Sequence, residues 1–216
     1  MGTTTRSTFE RKGGLTVPYF NIVSQSAEST VVTEYKPQSK RSEAYQSEAD
    51  LEKEFIRLLC ELGYERMTIH KEADLIANLR TQLEKLNNYR FTDGEWKRFW
   101  DEVLANTNSG ILEKTRLIQE DYVQVLRRDN GESKNIQLID KKCIHNNSLQ
   151  VINQYAISTE EGAAHDNRYD VTVLVNGLPL IHIELKRRGV PIREAFNQID
   201  RYQRDSFWAL SGLYEF

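Results

Sequence analysis

Apolar positions along the chain change period twice. Up to residue 45 no period is sustained: the stretch is rich in Ser, Thr and Gln, with Gly13-Gly14 and isolated Pro18 and Pro37. It reads as an N-terminal arm, 1–45, with one short strand expected over Thr30–Tyr35. From Ser47 the period is helical. Ser47 is placed to cap a helix with Asp50 three residues on, Leu51, Phe55, Leu58, Leu59 and Leu62 form one stripe, and Gly63 stops it. Cys60, inside that pattern, is expected in the core. A second amphipathic helix is predicted over Ala73–Leu86 through Leu75, Ile76, Leu79, Leu83 and Leu86. Asp93 is expected to cap a third, whose Trp96, Phe99, Trp100, Val103 and Leu104 stripe reads as core rather than as a base-stacking platform, and Asn106–Gly110 breaks it. The period then shortens to two. Tyr122 to Leu126 and Ile136 to Ile139, around Asp129-Asn130-Gly131, predict a hairpin, and Leu149–Ile157 a further strand. Glu160 to His165 reads as a polar loop. A last helix is expected over Ile192–Gln203, with Ile192, Ala195, Phe196, Ile199 and Tyr202 on one face.

Between that loop and that helix lies the strongest local signal, a hairpin from Arg168 to Arg188 centred on Asn176-Gly177. Val171, Val173, Val175, Ile181, Ile183 and Leu185 occupy odd positions, and Asp170, Glu184 and Lys186 even ones. Strand side chains alternate faces, so each strand alone has an apolar face and a charged one. A plain two-residue turn pairs Val175 with Leu178 and opposes the two patterns. A loop one residue longer, with Gly177 in a left-handed bulge position, aligns them. Burial contributes roughly 1.5–3 kcal/mol per large aliphatic side chain, which selects the aligned register. Asp170, Glu184 and Lys186 are then expected on one face.

A length of 216 residues suits one sizeable domain plus an arm. No run approaches the roughly 18 apolar residues of a membrane span, and no secretory signal opens the chain, so the cytoplasm is the expected compartment and no membrane partner is expected. The two cysteines, Cys60 and Cys143, form neither a disulfide scaffold nor a zinc ribbon. The net charge of −3 offers no global attraction for nucleic acid, but from Lys186 to Arg204 six basic residues face two acidic ones. That cluster fits either a phosphate footprint or a solvated face.

Two carboxylates and an ammonium on one strand face fit either a surface ion pair or a site for Mg²⁺, a hard cation that takes oxygen ligands and keeps several waters. The motif they form narrows the choice. Asp170, thirteen residues, then Glu184-Leu185-Lys186 on the second arm of a hairpin resembles the PD-(D/E)xK nuclease signature. A helix bearing Glu52 precedes Gly63-Tyr64, as in the first helix of such nucleases. The run from Val171 to Lys186, through Asn176-Gly177-Leu178-Pro179-Leu180, resembles the amino-terminal nuclease domain of type I restriction enzyme R subunits. Gln198-Ile199-Asp200-Arg201-Tyr202 matches the Gln-x-x-x-Tyr motif shared with RecB-like nucleases. Tyr169 stands where the signature has a proline, a position variable in the family.

The resemblance implies an α/β, restriction-endonuclease-like core over 46–216, with a mixed, mainly antiparallel sheet flanked by helices. It implies Asp170 and Glu184 as Mg²⁺ ligands, Lys186 as the catalytic lysine and Glu52 as the first-helix acid, with Glu48 its alternative. Gln198, Tyr202, Arg187 and Arg188 would support the site or contact DNA. His182 is expected on the charged face, as a hydrogen-bonding neighbour of the site. In the family the substrate is unmodified double-stranded DNA, the partners are methyltransferase and specificity subunits, the setting is a bacterial or archaeal cytoplasm, and ATP drives motor domains of the full-length subunit. The chain has no Gly-x-x-x-x-Gly-Lys-[Ser/Thr] loop. The apolar stretch from Phe207 to Phe216 reads as unfinished, so a longer native polypeptide is expected. A stand-alone resolvase-like or repair nuclease, and a catalytically silent docking or DNA-holding module, are the competing readings.

Overall fold

A computed structural model of the protein describes residues 20–25, 31–35, 46–106, 109–157 and 167–202. The expected loop over Glu160–His165 and the apolar stretch from Phe207 lie outside the described residues. Two compact units are present, Met1–Tyr45 and Gln46–Phe216. In the first, β1 (Phe20–Gln25) and β2 (Val31–Tyr35) pair antiparallel, with an irregularity between Ile22 and Ser24. β2 falls in the expected strand; β1, whose Phe-Asn-Ile-Val run gives way to Ser and Gln, was not expected.

The second unit begins with α1 (Glu48–Glu61). Ser47 caps it as expected, its Oγ accepting from the Asp50 amide at 3.1 Å. The buried face, however, is centred on Ile56, flanked by half-buried Phe55 and Leu59. Leu62, expected in the stripe, is 75 % exposed, because it is the C-cap residue, where helical periodicity ends. Leu58 and Cys60 are also exposed, so Cys60 is a surface thiol and not a core residue. A short strand, β3 (Glu65–Arg66), leads into α2 (Glu72–Asn87), whose Leu75, Leu79 and Leu83 are completely buried.

α3 (Asp93–Phe99) is capped by Thr92, one residue before the expected Asp93. The threonine completes a capping box: Thr92 Oγ1 accepts from the Glu95 amide, and the Glu95 carboxylate accepts from the Thr92 amide. A π-helical turn, Trp100–Leu104, extends α3, and its aromatic stripe enters the core as predicted. α4 (Ile111–Gln119) was not anticipated; Leu112 is exposed, and Leu117 and Ile118 pack toward the core. β4 (Val123–Arg127) and β5 (Ser133–Gln137) form the expected hairpin.

The central sheet joins β3 to β6 (Leu149–Ile157), β7 (Asn167–Val175) and β8 (Leu178–Ile183) in the order β3-β6-β7-β8. β3 runs parallel to β6 and the other pairs are antiparallel, giving the mixed, mainly antiparallel sheet of a restriction-endonuclease-like core. Both faces are covered. Ile56 of α1 packs with Val151, Val171, Ile183 and Leu185, while α2 and α3 pack with Ile152, Leu174 and Leu178. Consecutive Val151 and Ile152 belong to different clusters, as strand alternation requires. The last element is α5 (Ile192–Tyr202), whose expected apolar face is present but leaves Ile192, Phe196 and Ile199 exposed.

Candidate active site

Register decides what the central hairpin gathers. Val171 pairs with Ile183, Thr172 with His182 and Val173 with Ile181, the aligned register predicted from the aliphatic parity. It arises by a different route. The turn is the tight one: Asn176 and Gly177 both have positive φ, 52° and 85°, and Val175 pairs directly with Leu178. The extra residue enters instead as a bulge on β8, between the Val173–Ile181 and Leu174–Pro179 pairs. Two constraints keep the turn short. Asn176 accepts from the Ser148 amide and donates to Leu138 O and Asn147 Oδ1. Gly177 lies so close to α2 that an added Cβ would be 2.6 Å from the Leu79 Cα. Pro179 has no amide hydrogen for the ladder, and the bulge falls beside it. Of the six aliphatic residues, Val171 and Val173 are buried, but Ile181 is 50 % exposed, on the outer strand beside the bulge.

Beyond the paired segment, β8 continues into Glu184-Leu185-Lys186. Asp170 Oδ2 accepts from the Leu185 amide at 2.9 Å, anchoring this stretch against β7. The Lys186 ammonium donates to Glu184 Oε1 at 2.6 Å, with the Glu184 side chain 3 % exposed. Burial pushes the Glu184 carboxyl above the usual range; the lysine opposes that shift and the adjacent Asp170 reinforces it. For Lys186, burial favours the neutral amine, but the hydrogen bond and charge of Glu184, with the charges of Glu48 and Asp170, outweigh it and raise its proton affinity. Lys186 is therefore a firmly protonated ammonium.

Asp170, Glu184 and Lys186 thus bring two carboxylates and an ammonium together, with the Glu184 side chain buried. The all-oxygen donors fit hard Mg²⁺ rather than a thiophilic metal. Among the described residues no three His, Cys, Asp or Glu side chains stand close enough to ligate one ion together. Two carboxylates with retained water are a donor set that Mg²⁺ accepts.

Two clefts meet near this centre, and Glu48 borders both. One, of about 380 Å³, is lined by Glu48, Lys186, Glu194, Asn197 and Gln198. The other, of about 360 Å³, includes Glu48, Glu52, Arg168 and Asp170 in its lining. Glu48 also accepts from the Arg187 amide at 3.3 Å. Glu52 faces the Asp170 cleft, where its carboxylate is held by Asn153 and Gln154. Both first-helix acids thus border clefts beside the centre, Glu48 both of them and Glu52 the one that Asp170 lines. Gln198 borders the lysine cleft; Arg187 and Arg188 are exposed on the segment after Lys186; the side chain of Tyr202 lies outside the described residues. His182 stands on β8 two residues before Glu184. It pairs with Thr172, its Nδ1 3.2 Å from Thr172 Oγ1, and its ring lies 5.0 Å from that of Tyr169. Burial lowers its pKa to about 4, so the ring is neutral near pH 7. Asn153 and Gln154 escaped the sequence reading, although two successive polar residues inside Leu149–Ile157 break the alternation expected of a strand.

Comparison with known proteins shows the family of the chain. The family described as the type I restriction enzyme R protein N terminus matches residues 45–216. The chain belongs to this family. Among curated relatives of this R-protein domain, the EcoprrI endonuclease subunit of Escherichia coli is 45 % identical over 195 residues, covering 90 % of this chain and 61 % of that protein. The SauMSSORF170P endonuclease subunit of Staphylococcus aureus is 39 % identical over 178 residues, 80 % of this chain and 18 % of the relative. The SsaAORF53P endonuclease subunit of Staphylococcus saprophyticus is 37 % identical over 177 residues, again covering 18 % of that protein. The chain therefore spans about three fifths of the first relative and under a fifth of the other two. Among the described residues no helix is long and apolar enough to cross a membrane.

Proposed function

We propose that residues 46–216 form the Mg²⁺-dependent endonuclease domain of a type I restriction enzyme R subunit. In this reading it hydrolyses phosphodiester bonds of unmodified double-stranded DNA, working with methyltransferase and specificity subunits after ATP-driven translocation by motor domains elsewhere in the full-length subunit. Membership of the R-protein family and the endonuclease names of its relatives support the reaction class. The observation that supports the assignment to particular residues is the Asp170, Glu184 and Lys186 cluster, with Asp170 bonded to the Leu185 amide and Lys186 to Glu184.

Asp170 and Glu184 are the residues to hold Mg²⁺, which when bound polarises the phosphodiester and lowers the pKa of attacking water. Lys186, protonated and fixed by Glu184, presents an ammonium to the anionic phosphate as charge develops there. Glu48 and Gln198 line the cleft together with Lys186. Exposed Arg187 and Arg188 place positive charge on the adjoining segment for the DNA backbone, and Tyr202 is proposed as support one helical turn beyond Gln198. Titration with Mn²⁺, a spectroscopically convenient surrogate for Mg²⁺, tests the assignment. Asp170→Ala should weaken binding at least tenfold, whereas unchanged binding would remove Asp170 from the metal site.

A further inference from the structure

Three described non-glycine residues have positive φ, and two have local reasons for it: Asn88 caps α2 and Asn176 opens the hairpin turn. The third, Gln154, stands inside β6 at φ 54°, a conformation that side chains longer than asparagine rarely adopt. Its position is specific. β6 pairs Asn153 with Val171 and Tyr155 with Tyr169, so Gln154 lies opposite Asp170, and that one pair is missing from the ladder. The kink also changes where side chains go. Asn153 and Gln154 are consecutive, and an ordinary strand would send them to opposite faces. Both donate instead to the same carboxylate, Asn153 Nδ2 to Glu52 Oε1 at 2.6 Å and Gln154 Nε2 to Glu52 Oε2. All three side chains, with Asp170, line the same cleft. The two amides are neutral, so they orient the Glu52 carboxylate without cancelling its charge.

We infer that Asn153 and Gln154 are positioning residues that hold Glu52 toward a hydrated cation at Asp170. Backbone strain kept opposite a candidate ligand marks a place where geometry serves function. Since among the described residues no three acidic side chains are grouped to share an ion, Glu52 is assigned to its hydration shell rather than to direct ligation. Outer partners of this kind change metal affinity by roughly 10- to 100-fold. The inference rests on the nuclease reading above, and the test separates the two.

Mn²⁺ is titrated into the 216-residue chain by calorimetry, with melting temperatures recorded for every variant. Gln154→Gly removes the amide and places at that φ a residue that adopts it without strain. The melting temperature should hold or rise while Mn²⁺ affinity falls about tenfold. Asn153→Ala should lower affinity similarly. Wild-type affinity in Gln154→Gly, alongside loss of binding in Asp170→Ala, would overturn the positioning role and leave the nuclease centre standing. Wild-type affinity in Asp170→Ala would overturn both. If Gln154→Gly melts early, Glu52→Gln, which keeps side-chain volume, decides: a tenfold loss supports the inference and unchanged binding refutes it.

Discussion

Glu184 meets opposing influences: burial and Asp170 raise its proton affinity, and Lys186 lowers it. Lys186→Met keeps most of the side-chain volume and removes the Lys186 ammonium bonded to that carboxylate. The expected cost is roughly 2 kcal/mol in urea denaturation at pH 7, the order expected for a buried charge losing its partner. Glu95 shows the reverse balance. Burial would raise its pKa, but it accepts from the Thr92 amide at 3.0 Å, the Tyr89 hydroxyl at 2.9 Å and the Asp129 amide at 3.2 Å, and the net shift is downward. Because the folded value lies below the unfolded one, this stabilisation is full above about pH 4.5 and is lost as pH falls through the folded pKa. Glu95→Gln should flatten that acid limb of stability, and an unchanged pH profile would show that Glu95 does not contribute to it. Gly177 is constrained by both conformation and space. Gly177→Ala sets a Cβ against Leu79 at positive φ and should cost roughly 2–4 kcal/mol.

At the scale of elements, α1 links stability to the site, since Ile56 packs on the strands while Glu48 and Glu52 border the clefts. Ile56→Ala should cost roughly 2–4 kcal/mol in chemical denaturation, whereas Leu62→Ala, at an exposed cap, should stay within about 0.5 kcal/mol. The helix stripe read from sequence would have ranked these two the other way. Periodicity located the helix but not which part of its apolar arc touches the sheet, because that depends on docking. The hairpin shows the same division. Aliphatic parity was enough to bring Asp170 and Glu184 together, but not to say that the extra residue would enter beside Pro179 rather than at Gly177. The contacts that hold the turn tight come from Leu79, Leu138, Asn147 and Ser148, all distant in sequence. Glu52 was visible as a helical acid, while its partners Asn153 and Gln154 required the backbone conformation of β6.

Across the whole molecule, the site draws on three regions far apart in sequence: α1, the β6–β7–β8 strands with their extension, and α5. A docking module would need the surfaces of these elements, but not a buried carboxylate facing a second one beside a fixed ammonium. That distinction makes cleavage the direct test. DNA cleavage should be measured for the full restriction assembly carrying Asp170→Ala or Lys186→Ala in its R subunit, with ATP hydrolysis and DNA binding followed in parallel. The predicted result is at least a hundredfold loss of cleavage in both variants with the other two activities retained, the scale expected when a group that stabilises transition-state charge is removed. Wild-type cleavage in both would contradict the assignment of this cluster as the nuclease centre.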